Sequence, residues 1–139
     1  MDAKESLRRY GLVPSDEALP HIRTLLANEV ALERKGRGHE RESDLALLCC
    51  VQLFSRGLLE DVLRIWDAKR SGMDLGSLLD IQFLCGAGLD ETKRFLSSQA
   101  GVEAAKALKY LGACERTGDF VGFVPETHLA NYRRYFDVK

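Results

Sequence analysis

Proline is scarce in this chain, with three among 139 residues, too few for long irregular linkers. An excess of charge of one sign is missing as well. Lysine and arginine number 20 against 21 aspartates and glutamates, for a net charge of -1. The balance also holds within residues 1–43, 44–99 and 100–139 taken separately. No overall field therefore favours a polyanion or an anionic membrane, and there is no specific nucleic-acid signal. No apolar run approaches the roughly 20 residues needed to cross a bilayer. The strongest run, Leu45 to Phe54, stops at Ser55 and Arg56. The N-terminal "MDAKESLRRYG" has no apolar core of secretory-signal length. These absences lead to the expectation of a cytoplasmic protein with no membrane segment.

Metal-ligand spacing is also lacking. The four cysteines, Cys49, Cys50, Cys85 and Cys114, form no Cys-x-x-Cys pair and no Cys/His pattern. Cys49 and Cys50 are adjacent, so on a helix they point about 100 degrees apart and cannot share a tetrahedral ion unaided. Each cysteine has apolar neighbours, and buried free cysteine behaves as a small hydrophobe. The expectation is four reduced cysteines in core packing, with no metal and no cofactor. The three histidines, His21, His39 and His128, fall in segments expected to be exposed or near element ends. His39 sits among Arg37, Glu40, Arg41 and Glu42, where a solvated face is the ordinary reading. The stretches "KGRG" and "CGAG" lack the strand and the lysine-serine pair of a phosphate loop. Gly86 and Gly88 read instead as residues permitting tight turns. No catalytic residue is assigned.

What is present is helical periodicity. Hydrophobic residues make up 45% of the chain and charged residues 29%, the composition of an ordinary globular protein of one domain, residues 1–139. Asp2 to Tyr10 predicts two helical turns stopped by Gly11, and Ser15 is the expected cap of the next helix. That helix carries Leu19, Ile22, Leu25, Leu26 and Val30 at three- and four-residue steps. Pro20 is tolerable near its first turn. "RKGRGHERES" interrupts the periodicity as an exposed connection. An apolar helix follows from Asp44 to Arg56, and another from Leu58 to Arg70.

At a spacing of 30 residues the chain then aligns with itself without a gap. Asp44 meets Asp74, Leu45 meets Leu75, Leu48 meets Leu78, Gln52 meets Gln82 and Leu59 meets Leu89. Spans 44–70 and 74–98 are therefore candidate helix-pair repeats, since tandem pairs stack to bury the face that one pair leaves open. Gln52 and Gln82 are polar residues inside apolar runs. Each is expected either to tie its helix to a neighbouring turn or to line a groove. The segment 127–136, with Leu129, Tyr132, Tyr135 and Phe136 at helical intervals, is a candidate capping helix.

The predicted fold class is all-α, with roughly six to eight helices arranged as a short irregular stack of antiparallel helix pairs, either α-solenoid-like or a compact helical bundle. Such stacks offer extended surfaces, and no convergent catalytic motif is present. The primary functional expectation is a protein-interaction or adaptor module without catalytic activity, with a protein partner or self-association. Its expected contact residues are Arg64, Trp66, Arg133 and Tyr135, side chains that combine buried area with directional hydrogen bonds. Trp66 also fits the core, from its spacing to Leu59, Val62 and Leu63. Two alternatives stand beside this reading: a small-ligand enzyme using His39 or His128 with nearby acids, and a structural homo-oligomer.

Overall fold

Ten successive residues, Leu45 to Phe54, are buried, and this segment forms the axis around which the chain is wound. The computed structural model describes residues 1–138. It contains eight α-helices: α1 (Ala3–Tyr10), α2 (Leu19–Arg34), α3 (Leu45–Arg56), α4 (Val62–Lys69), α5 (Met73–Leu78), α6 (Leu89–Ser98), α7 (Val102–Arg116) and α8 (Pro125–Tyr135). Three short 3-10 segments intervene, at Gly38–Glu40, Leu59–Asp61 and Ile81–Cys85. There is no strand among the described residues, so the all-α expectation holds. A helix that is apolar all round must be enclosed. Accordingly α1, α2, α8 and Ile81–Cys85 all pack on α3. The second half builds outward from this axis, with α4 against α2, α5 and α7, and α6 against α7.

Local chemistry sets the element ends. Asp2 caps α1 by accepting from the Glu5 amide at 2.9 Å, and Gly11 closes it at φ 71. Ser15 does not cap α2. That helix starts after Ala18 with Pro20 in its first turn, where a missing N–H costs nothing. Asp44 precedes α3 in the left-handed region, at φ 61, without capping it.

The span 74–85 differs from its counterpart 44–56 in its backbone. It is not one helix: α5 ends at Leu78, Leu79 and Asp80 are extended, and a 3-10 turn follows. Gly76 and Ser77 are weak helix formers. Lys69 then secures the break by donating to the carbonyls of Gly76, at 2.7 Å, and Leu79, at 2.6 Å. One consequence is that Leu48 is buried whereas Leu78 is 37% exposed. The glutamines tie helices to turns. Gln52 donates to the Gly11 carbonyl at 2.8 Å and Gln82 to the Asp119 carbonyl at 2.8 Å.

The connection 35–44 is held by a buried carboxylate. Glu33 accepts from Arg41 Nε at 3.2 Å and from the Leu75 amide at 3.0 Å. Glu29 is buried beside it, where burial pushes its carboxyl up and Arg41 pulls it back.

Gly86 is required by a close approach rather than by its turn. Its backbone is right-handed, at φ -61, yet an added Cβ would run into the Phe54 carbonyl oxygen. The reverse contact is also too close, since a Cβ on Gly57 would lie 2.9 Å from the Gly86 carbonyl oxygen. The end of α3 and the end of Ile81–Cys85 therefore touch backbone to backbone. Gly86→Ala is expected to destabilise the fold by about 1–3 kcal/mol through overpacking. Gly112→Ala, in mid-α7 with only the flexible Arg116 side chain nearby, is expected to stabilise it by roughly 0.5–1 kcal/mol. Urea unfolding of the two variants checks both signs.

Candidate functional site

Of the four expected contact residues, Arg64 and Tyr135 border different grooves, and Trp66 borders neither. Trp66 is only 2% exposed. Its indole donates to Glu103 Oε2 at 2.9 Å, its ring lies 5.6 Å from that of Tyr110, and the Arg70 guanidinium covers it at 5.3 Å. It is a core residue with a satisfied polar edge, so burial removes it from any docking face. Arg64 lies on α4, which packs on α2 and α7, whereas Arg133 and Tyr135 lie on α8, which packs on α3. Arg133 is half-buried.

Arg64 borders a groove of about 450 Å³ between α2 and α4, floored by Leu26, Val30 and Leu63. Its rim is electrically closed. Arg23 grips the buried Asp61 with two bonds of 2.9 Å and reaches Glu60 at 2.8 Å. Arg64 also bonds Asp61, and Arg34 pairs with Asp67 at 2.8 Å. These contacts neutralise the rim from within and leave its arginines already engaged.

Tyr135 borders a second, larger groove of about 590 Å³, formed where α1, the residues leading into α3 and the end of α8 converge. Ala3, Leu7 and Phe136 supply its apolar floor, and Asp2, Lys4, Glu42, Asp44 and Asp137 its rim. Tyr135 is 56% exposed, yet it is held in place. Its hydroxyl donates to Asp44 Oδ2 at 3.0 Å, and its ring centroid lies 5.0 Å from Phe136 and 6.0 Å from Tyr132. The Asp44 carboxylate, followed by partial burial, pushes the Tyr135 phenol up, so it stays a donor. Asp44 and Asp137 are the two non-glycine residues with positive φ among the described residues, at 61 and 55 degrees. Aspartate tolerates that conformation better than most residues but still at a cost.

His128 lies near the start of α8, one of the two placements expected of the histidines, but its ring is enclosed rather than exposed. Its side chain is 16% exposed, and four rings surround it, with centroids 5.5 Å away for Phe54, 5.6 Å for Phe83, 5.7 Å for Phe123 and 5.5 Å for Tyr132. Nε2 stands 3.5 Å from Asp80 Oδ2 but makes no well-formed hydrogen bond. Asp80 accepts instead from the Tyr132 hydroxyl at 2.5 Å. His128 and then Tyr132 hold the Asp80 carboxyl below its usual range, against the opposing effect of burial. Beside them lies a polar recess of about 180 Å³ bordered by Gln82, Asp119, Thr127 and Asn131. His39 is far more open, with 78% of its side chain exposed, and the nearest carboxylate is Glu40 at 3.8 Å.

The cysteines offer no nucleophile. All four are free and buried. Burial pushes the thiols of Cys49 and Cys85 up to about 12 and that of Cys50 well above its ordinary value, and burial followed by Asp119 raises that of Cys114, so none is a ready thiolate. Among the described residues no group of three or more histidine, cysteine, aspartate or glutamate side chains is placed to hold a metal ion. No helix among them is long and apolar enough to cross a membrane. No family model, curated protein or solved structure matches the chain.

The groove around Tyr135 draws on residues 2–7, 42–44 and 135–137. Sequence reasoning named Tyr135 without Leu7, Glu42, Asp44 and Asp137, which border the same groove. Nothing in the local pattern links these three segments, because their meeting depends on α1 and α8 both packing on α3. Asp80 supplies a test of the cluster beneath α8. A carboxyl held low in the folded state contributes stability that is present above its unfolded pKa, near 3.8, and is lost as the pH falls through the folded value. The stability gap between the native protein and Asp80→Asn should therefore be widest above about pH 5 and should shrink towards about pH 3. Thermal unfolding across that range measures it.

Proposed function

We propose that this protein is a non-catalytic interaction module that docks a protein partner in the groove around Tyr135. The observation that carries this reading is a large aromatic side chain, more than half exposed, pinned by Asp44 over an apolar floor. A tyrosine fixed before binding offers contact area at low entropic cost, which is the character of an interface anchor. The groove is bordered by no histidine and no cysteine. On this reading the module works in the cytoplasm, where its four buried cysteines stay reduced. Self-association through the same groove is the structural alternative.

A second reading rests on His128. Its buried Nε2 lacks a hydrogen-bond partner beside Asp80, at the edge of a polar recess, and it favours a small polar ligand there. The recess is small, and the Asp80 carboxylate is already committed to Tyr132. The groove around Tyr135 is therefore the stronger candidate.

Placing a photo-crosslinking phenylalanine analogue at the exposed Ser43, which borders the groove and leaves Tyr135 and Asp44 in place, tests the docking reading in the native cell. The expected result is a discrete adduct that is lost when Leu7→Glu blocks the floor, and none from the same analogue at His39, which is also exposed. Adducts of equal yield from both positions, or none at position 43, would overturn it.

A further inference from the structure

The groove around Tyr135 and the groove beside Arg64 differ in one respect that bears on what each can receive. Beside Arg64 the acids Glu60, Asp61 and Asp67 are answered by Arg23, Arg64 and Arg34. The groove around Tyr135 is bordered by the carboxylates of Asp2, Glu42, Asp44 and Asp137 and by one basic side chain, Lys4, with the Met1 α-ammonium next to Asp2 in sequence. None of the four takes part in an ion pair among the described residues. This segregation is invisible in the whole-chain balance of 20 basic to 21 acidic residues. It arises because the fold brings α1 and the end of α8 to one groove beside the connection into α3.

Two of the four have a partial structural explanation. Asp2 caps α1, and Asp44 stands at the start of α3, where the helix dipole favours negative charge. Glu42 and Asp137 have no such role. Both are exposed, and both border an apolar floor instead of a neutralising arginine. The end of α8 adds the negative pole of its own dipole to the same rim.

Resting on the docking reading above, we propose that the occupant is a basic amphipathic segment of a partner protein, with lysine or arginine side chains flanking one or two apolar anchors. The anchors would seat on Leu7 and Phe136 beside the Tyr135 ring. The cations would complete the pairs that Glu42, Asp44 and Asp137 leave open. Arginine would be favoured wherever one guanidinium can bind a carboxylate bidentately. An open acidic rim also steers a basic partner towards the groove, so association should slow as salt screens the rim.

Three short peptides, amphipathic leucine–lysine, leucine–serine and leucine–glutamate sequences of equal length, test this against the untagged, isotope-labelled full chain. Amide chemical shifts locate binding, and titration at low and high salt gives affinity. The expected result is that the lysine peptide shifts the amides of Ala3, Leu7, Ser43 and Tyr135 and binds more weakly in high salt. It should also bind roughly tenfold more weakly to the Glu42→Gln, Asp137→Asn double variant, which removes two charges and keeps a residue tolerant of positive φ at position 137. Equal seating of the serine or glutamate peptide in the same groove would overturn the charge assignment and leave the docking reading standing. No binding, or shifts confined to other surfaces, would overturn both. Concentration-dependent self-association that shifts those same amides without any peptide would replace the basic partner with a second copy of the chain.

Discussion

Enclosure of α3 is the constraint on which the rest of the structure depends. From Leu45 to Phe54 every side chain is buried, so this helix has no face to leave in water. Fully burying one leucine contributes about 1.5–3 kcal/mol relative to exposure, and α3 has four leucines, a valine and a phenylalanine to cover. The covering elements come from both ends of the chain, α1 and α2 before it and Ile81–Cys85 and α8 after it. Cys49 and Cys50 belong to this same requirement. On a helix buried all round they can diverge around the axis and still both fill core volume. Their adjacency therefore reflects enclosure rather than sulfur chemistry.

Much of the helical content was legible because it rests on local signals. Gly11 and Gly57 stop helices at positive φ, Pro20 and Pro125 sit in first turns, and the apolar spacing of α2 and α3 marks their cores. Legibility fails where a tertiary contact overrides the local pattern. The sequence around Asp74 matches that around Asp44 well enough to suggest one continuous helix, but the Lys69 ammonium captures the carbonyls of Gly76 and Leu79. The backbone then turns so that Asp80 can meet Tyr132. His128 shows the same limit. Its flanking residues read as an exposed helix start, whereas the pocket that encloses it is made by Phe54, Phe83 and Phe123, far apart in sequence.

Charge organisation is the second product of this winding. Evenly mixed charges along the chain become, in the fold, one rim of reciprocal arginine–carboxylate pairs beside α2 and α4 and, where α1 and the end of α8 border one groove, a rim of carboxylates without ion pairs among the described residues. The first contributes to holding two helices together, through the buried Asp61 above all. In the second, Asp2 caps α1 and Asp44 holds Tyr135, but Glu42 and Asp137 have no ion-pair partner among the described residues, and the like charges of the rim repel. An unpaired acidic rim around an ordered tyrosine is the feature of this molecule least explained by stability alone, which is why the functional reading rests there.

Native-state hydrogen exchange tests the enclosure of α3 most directly. If α3 is the axis, the amides from Cys49 to Phe54 should exchange only through global unfolding, with protection matching the full unfolding free energy. Those of α1 and α8 should open at lower free energy, as elements laid over the axis. Exchange of the α3 amides as fast as those of α8 would contradict the account, because a helix that opens independently cannot be the element that brings residues 2, 44 and 135 to one groove.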